Sequence, residues 1–504
     1  MLEVILAGYN LDADVIEKLK RDANYKKDNV TPETISAAYA RISRDPQKVK
    51  KLREISREEV DKARKSNENI VFKMGHHSVA EHAYLNFDII GLSRLAVEYL
   101  EEARLCSYTE KSQRYITLEG DYIIPEEIKD ENDIKLFKSM IEKQVNAYKE
   151  LFPLLLEYQK KLNSELLNTK SGQNTVEGWA KEDARYILSL ATECQLGFSA
   201  NARNLEYIIR KLKYSYLEET RKLGKLLFEN AKKVVPSLII LSDPEAFKKQ
   251  FGWDVSDGFL KKGRKFLNEL SIKYIEKFKN IEINETDNDV ELISHTEKSD
   301  VKVFAALLCS VTSKPFSHCL AIAEIMKNEN MMKDFFKEFF SVYTEYDAMP
   351  REFEIVNFIF DVKISASAFA QLKRHRMMTI LKDDYDINLG YRVPDSIIQI
   401  GKKDFFKEIL SETEEVYKKL KEKYGLVADY ILTNAHKRRV ILNVNLRELY
   451  HIARLRMDKH AQWDIRDISA KMIEKVRKVA PITGALLSGK HNFINVKEDF
   501  YKNN

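Results

Sequence analysis

The chain of 504 residues is long enough for two or three domains, and its 44% apolar content suffices for buried cores. Lys+Arg at 83 against Asp+Glu at 78 leaves a net charge of +5, which excludes a chain-wide nucleic-acid footprint. There is no apolar run of bilayer length, no signal-like N-terminal pattern, and the cysteines (Cys106, Cys194, Cys309 and Cys319) show no CxxC or zinc spacing; a cytoplasmic protein without membrane attachment or metal is expected. In chain order, Leu2 to Ala7 fits a buried strand. TPETISAAYARI from Thr31 predicts a helix with Thr31 as N-cap, Pro32 at N1 and Glu33 in the first turn. AYLNFDII at 83–90 alternates as a strand, 92–106 returns to helical spacing, and long helices are expected from Pro125 to about Val235.

The second half replays this order. VELIS at 290–294 reads as a strand, DVKVFAALLCSVT as a helix, EIVNFIFDVKIS at 354–365 as a strand, and ASAFAQLKRHR as a helix. Longer helices are expected at about 404–423 and 427–440, with a last one starting near Asn443. Two ladders carry the repeat, at a spacing of roughly 244–272 residues. LSRLAVEYLEEARLCS matches SASAFAQLKRHRMMT, and SANARNLEYIIRKLKYSYLEE matches LNVNLRELYHIARLRMDKHAQWD. The division is therefore 1–240 for copy one, a linker at 241–286, and 287–504 for copy two.

Chemistry concentrates in a few places. Leu449, Ala453, Arg456 and His460 fall on one helical stripe, where the matching residues of copy one include Leu212 and Tyr216. A half-buried Arg456 demands an anion or acceptor, supplied either by an interface carboxylate or by a ligand. Arg374-His375-Arg376, one turn after Gln371, fits either cations at a helix C-terminus or a phosphate site. Ser107 to Tyr115 is a hydroxyl-rich loop with one arginine, an ST-turn or a phosphate cradle. His76, His77, Ser78, Glu81 and His82 lie close together but lack HExxH order, so no metal is expected.

Set against each other, EEARLCSYTEKSQRY at 101–115 and KRHRMMTIL at 373–381 are complementary halves of one signature. The chain resembles the flavin-dependent thymidylate synthase family, whose hallmark is RHRxxSxNExSxRY, across roughly 1–240 and 287–495. The resemblance implies an α/β (α+β) chain of two tandem domains, each a central mixed sheet flanked by long helices, and a homodimer equivalent to the family's homotetramer. It implies conversion of dUMP to dTMP with methylenetetrahydrofolate and NADPH-reduced FAD. By residue-for-residue carry-over, copy two offers Gln371, Arg374 and Arg456 to dUMP, and copy one offers Glu110, Lys111, Ser112, Gln113, Arg114 and Arg185. In the roles so implied, Arg114, Arg185 and Arg374 neutralise the phosphate, Ser112 lies at the pyrimidine and Arg456 at the uracil edge. The opposite pairing would need Tyr99, Glu102 and Leu212 with Lys382, Asp384 and Asp429, which places carboxylates where a phosphate belongs.

For FAD, the resemblance implies Ser78, Glu81, Arg374, His375, Arg376, Asn445, Arg447, His451 and His460, with Asn201 and Arg203 retained in copy one; His76 is implied near the folate. One composite active site from the two copies is expected, with Ser112 and Arg456 as its catalytic residues. A catalytically silent FAD or nucleotide binder, and a flavoenzyme acting on another pyrimidine nucleotide, are the alternatives.

Overall fold

The computed structural model describes every residue except 23, 24, 26–28, 113, 115–119, 257, 280, 282–285, 329, 330, 503 and 504. Two compact units emerge. The first takes residues 1–142, 190–284 and 418–431, and the second takes 143–189, 285–417 and 432–504. Neither is a contiguous half of the sequence, because each holds one segment drawn from the other repeat.

In the first unit, strands β1 (Glu3–Tyr9), β2 (Tyr84–Ser93), β3 (Cys106–Glu110) and β4 (Glu193–Asn201) form a sheet of order β1-β2-β4-β3. Leu85, Phe87 and Ile89 are buried while Asn86 and Asp88 face solvent, the alternation that makes β2 a half-buried strand. Strand β2 runs straight into helix α1 (Arg94–Leu100), because the Ser93 hydroxyl accepts the Ala96 N–H at 3.0 Å. Strand β4 runs into helix α2 (Ala202–Lys213) in the same way, with Asn201 Oδ1 accepting from the Asn204 N–H at 2.9 Å.

The second unit repeats the plan. Strands β5 (Val290–His295), β6 (Asn357–Ser365), β7 (Thr379–Tyr385) and β8 (Lys437–Asn445) are ordered β5-β6-β8-β7. Ser365 caps helix α3 (Ala366–Leu372), and Asn445 caps helix α4 (Leu446–Arg456) through the Glu448 N–H at 2.8 Å. Phe358, Phe360, Val362 and Ile364 of β6 lie on the core side.

The β2–α1 and β6–α3 junctions are each pinned by a buried carboxylate and a tyrosine from the opposite repeat. In the second unit Ser365 Oγ and Tyr186 OH donate to Asp464 Oδ2 at 2.5 and 3.0 Å. In the first, Ser93 Oγ and Tyr430 OH donate to Glu219 Oε2, each at 2.6 Å. Burial pushes both carboxyls above their usual range, and the hydroxyl donors oppose it.

The expected α/β architecture of two similar domains holds, with corrections. Each sheet is antiparallel across its paired strands rather than mixed. β2 and β3 do run the same way, but β4 lies between them, so no parallel pair becomes neighbours. The helix expected through residue 106 stops at Leu100, and Cys106–Glu110 is a strand rather than a loop. The segment MMTILKDDYD, which follows Arg376, supplies β7. The stretch 427–440 is a short 3-10 turn (Gly425–Ile431) leading into β8, because KRRVILNVN alternates and is β-branched. The helical reading through Val235 likewise missed β4. Near the N-terminus the helix begins at Glu33; the Thr31 hydroxyl accepts the Glu33 N–H at 3.2 Å, and the Glu33 carboxylate is buried against Ser237 and Arg64. Residues 241–286 include helices Pro244–Phe251 and Phe259–Lys277, and Phe247 packs into the core of the first unit.

Candidate active site

The Ser365 cap fixes where α3 starts, and therefore which side chains leave its last turn. Gln371 is buried near the end of that helix, and the chain then turns through exposed Arg374, buried His375 and half-buried Arg376. Arg456 comes from the last turn of α4. Its Nε donates to His375 Nε2 at 2.9 Å and its Nη1 donates to Gln371 Oε1 at 3.1 Å. A guanidinium nitrogen can only donate, so His375 Nε2 must carry a lone pair and the neutral ring must hold its proton on Nδ1. That atom lies 3.3 Å from Glu448 Oε1, within ion-pair reach though short of a well-formed hydrogen bond.

Electrostatics keep the ring neutral. Burial, reinforced by the Arg456 cation, pushes the His375 pKa down to about 3. Burial raises the Glu448 carboxyl, while His451 and Arg447 pull it the other way. His451, whose ring lies 5.3 Å from that of His375 between centroids, is lowered by burial and then by His375.

Arg185, from the first repeat, belongs to this same unit. It is buried, and its Nη2 donates to Ser367 Oγ at 2.8 Å, one helical turn before Gln371 on α3. Asn434 Nδ2 donates to the Arg185 carbonyl at 3.0 Å, and Tyr186 anchors the following position through Asp464. The second unit thus gathers Arg185, Gln371 and Arg456, with Arg374 at the helix exit.

The remaining expected residues divide as follows. Asn445 is committed as the α4 cap; Arg447 donates to the Met349 carbonyl at 2.6 Å and to Glu354 at 2.8 Å; the backbone N–H of exposed His460 donates to Asp458 Oδ1 at 3.0 Å. In the first unit, Glu110 ends β3, the Lys111 N–H donates to the Gln195 carbonyl at 2.9 Å, and Ser112 Oγ accepts from the Arg114 N–H at 3.2 Å. Gln113 lies outside the described residues. His76 and Ser78 are exposed, Glu81 pairs with Arg203 at 2.5 Å, and Asn201 is the α2 cap. Among the described residues no His, Cys, Asp and Glu grouping could hold a metal, and no helix is long and apolar enough to cross a membrane.

The same positions in the first unit are closed. Counted from the matching caps, Tyr99, Glu102, Ala103, Asn204 and Leu212 replace Gln371, Arg374, His375, Glu448 and Arg456. Tyr99 OH meets Tyr216 OH, Glu102 pairs with Lys211, and Leu212 is buried in the core.

Sequence reasoning missed Glu448, Ser367 and Asn434. Glu448 had a signal, since Asn445-x-x-Glu448 reads as a capping box that would keep the carboxylate at its own helix start.

Residues 27–237 and 291–482 both match the family described as thymidylate synthase complementing protein. The chain belongs to that family. It carries two copies of the family's domain in tandem. A UPF0159 protein of Thermoplasma acidophilum is 24% identical over 506 residues, covering 90% of this chain and 94% of that protein, so the alignment spans both copies. A flavin-dependent thymidylate synthase of Clostridium tetani is 33% identical over 217 residues, covering 42% of this chain and 83% of that enzyme. Among solved structures, a UMP/dUMP methylase, PolB from Streptomyces cacaoi bound with 5-Br dUMP, aligns at 17% identity and a TM-score of 0.33, covering 49% of this chain and 95% of that one.

Proposed function

We propose that this chain is a flavin-dependent thymidylate synthase that methylates dUMP to dTMP, using methylenetetrahydrofolate for carbon and NADPH-reduced FAD for hydride. The observation that carries the reading is the gathering of Arg185, Gln371 and Arg456 in the second unit, drawn from both repeats, while the matching positions of the first unit are filled. The family match and the Clostridium tetani relative support it.

On this reading Arg185 and Arg374 neutralise the nucleotide phosphate, since forked donors suit a planar or tetrahedral oxyanion. Arg456 faces the uracil edge, where a cation held in a partly buried site polarises the ring carbonyl more strongly than it could in water. Gln371 and His375 fix that guanidinium before substrate arrives, so little reorganisation is needed at the moment of reaction. For Glu110, Lys111, Ser112 and Arg114 a nucleotide role is proposed on the resemblance alone, as is the folate role of His76.

FAD fits the second unit in charge: Arg374 and Arg376 leave the α3 exit on the solvent side, and His451 is exposed one turn beyond Arg447. When bound, it supplies the hydride chemistry that no side chain here can. Arg374, Arg376 and His451 are the residues proposed to hold it, whereas Asn445 and Arg447 already serve the fold through their cap and Glu354 contacts. Working as a homodimer is proposed as well, and light scattering after size exclusion measures it.

The deciding experiment incubates the purified chain with FAD, NADPH, methylenetetrahydrofolate and dUMP, and analyses the products by chromatography. dTMP is expected. Binding of FAD and dUMP without product would make the chain a silent binder or direct it to another pyrimidine.

A further inference from the structure

Arg456 is held in the second unit by a chain of side chains. Gln371 takes one donor of the guanidinium and His375 takes another. His375 is only 2% exposed, so it is held by its neighbours rather than by solvent. Behind it stands Glu448, whose backbone N–H is already used by the Asn445 cap, which fixes the side chain's starting point on α4.

We propose that Glu448 and His375 are positioning residues for Arg456: Glu448 holds the His375 proton on Nδ1, which keeps the Nε2 lone pair aimed at the arginine. This rests on the proposed function and deepens it, by assigning His375 to the support of the pyrimidine-facing cation instead of to the flavin. A neutral histidine can present either nitrogen as acceptor, and only one tautomer serves Arg456. With the proton on Nε2, two N–H groups would face each other, and the guanidinium would lose its side support. A carboxylate near Nδ1 settles the choice, as a second residue commonly does when a histidine must offer one particular nitrogen.

The first unit supplies an independent comparison within the same chain. Where Arg456 becomes Leu212, His375 becomes Ala103, Glu448 becomes Asn204 and Gln371 becomes Tyr99. Had Glu448 served only as the acidic residue of a helix first turn, α2 would have equal use for it, since α2 starts with the same asparagine cap. Its absence alongside the arginine ties it to the arginine.

The test uses the full chain labelled with ring ¹⁵N histidine, the His375 signals being assigned by their loss in His375→Gln. The ¹⁵N shifts report the tautomer directly, with or without turnover. Wild type is expected to show a neutral His375 protonated at Nδ1; a ring protonated at Nε2 or at both nitrogens overturns the proposal. Glu448→Gln keeps an acceptor oxygen and should keep the tautomer, whereas Glu448→Leu should lose it. In the dTMP assay Glu448→Leu should lower kcat/KM by roughly 10- to 100-fold, the scale of one charge-assisted hydrogen bond, with Glu448→Gln recovering most of it and FAD content unchanged. A Glu448→Leu chain with wild-type tautomer and wild-type kinetics overturns the proposal. If wild type makes no dTMP, the proposed function fails, while the tautomer measurement still decides the relay. Should Glu448→Leu not fold, the wild-type and Glu448→Gln spectra decide it.

Discussion

Arg456 Nε donates to Nε2 of His375 at 2.9 Å, so the buried imidazole meets this guanidinium as an acceptor. The bond requires a lone pair on His375 Nε2 and orients the Arg456 guanidinium, and it has no counterpart in the first unit, where Ala103 and Leu212 stand instead.

Arg456→Leu copies what the first unit already has. It removes a donor from the proposed uracil edge and leaves His375 Nε2 and Gln371 Oε1 without the hydrogen they accept. A charged hydrogen bond of this type is worth about 1.5–3 kcal/mol, so kcat/KM for dUMP should fall by roughly 10- to 100-fold or more. Steady-state dTMP formation checks it, with circular dichroism to confirm the fold. Normal turnover would remove Arg456 from the site.

The reverse substitution should be harmful without being useful. Leu212 is 2% exposed in the apolar core of the first unit, and Leu212→Arg would bury a charge among apolar side chains. An uncompensated buried charge costs about 3–5 kcal/mol, so the denaturation midpoint should drop markedly and no dTMP activity should be gained. Urea unfolding monitored by fluorescence measures the loss.

His375 should leave a signature in stability against pH. Its folded pKa of about 3 lies below the unfolded value of about 6.5, so between those limits the unfolded chain binds the extra proton. Stability from this group is therefore complete above about pH 6.5 and declines as pH falls toward 3, by about 1.4 kcal/mol per pH unit. Comparing wild type with His375→Gln at about pH 5 and pH 7 isolates the term. Equal differences at both pH values would contradict the neutral, buried ring.

Glu206 should show the opposite sign. Burial pushes its carboxyl up to about 8, opposed by Arg210 and by the Leu241 N–H that donates to it at 3.1 Å. The folded state then binds a proton that the unfolded state has released, so stability declines as pH rises from about 4.5 to 8. Glu206→Gln keeps an acceptor for Leu241 and removes the titration. It should raise the thermal midpoint relative to wild type at pH 8 and not at pH 5, read by calorimetry. A gain of the same size at both would mean that packing, not ionisation, is responsible.

Tyr186→Phe should weaken the second unit by about 1–3 kcal/mol, because Asp464 and Gln462 Nε2 both lose a buried partner. As Tyr186 follows Arg185 directly, the KM for dUMP should rise too. Urea titration and initial-rate kinetics on one preparation test both effects; unchanged stability would show that Ser365 and Arg392 suffice for Asp464.

Much of this protein was open to reading from residues alone. The tandem repeat and the strands at Val290 and at 357–365 follow from pattern and spacing, whereas Gln371, Arg374 and Arg456 as site residues, with Tyr99 and Leu212 as their counterparts, came from the family resemblance. Short strands such as Cys106–Glu110 and Thr379–Tyr385 were hidden, because a few mixed polar and apolar residues become a strand only when β4 or β8 supplies the hydrogen bonds. Tertiary structure alone decided that residues 143–189 pack into the second unit and 418–431 into the first, which brings Arg185 to Ser367 and Tyr186 to Asp464. It alone turned Glu448 from a helix-cap residue into a neighbour of His375. Periodicity shows which face of a segment must be buried; which distant segment buries it depends on the burial and hydrogen bonding of the whole chain.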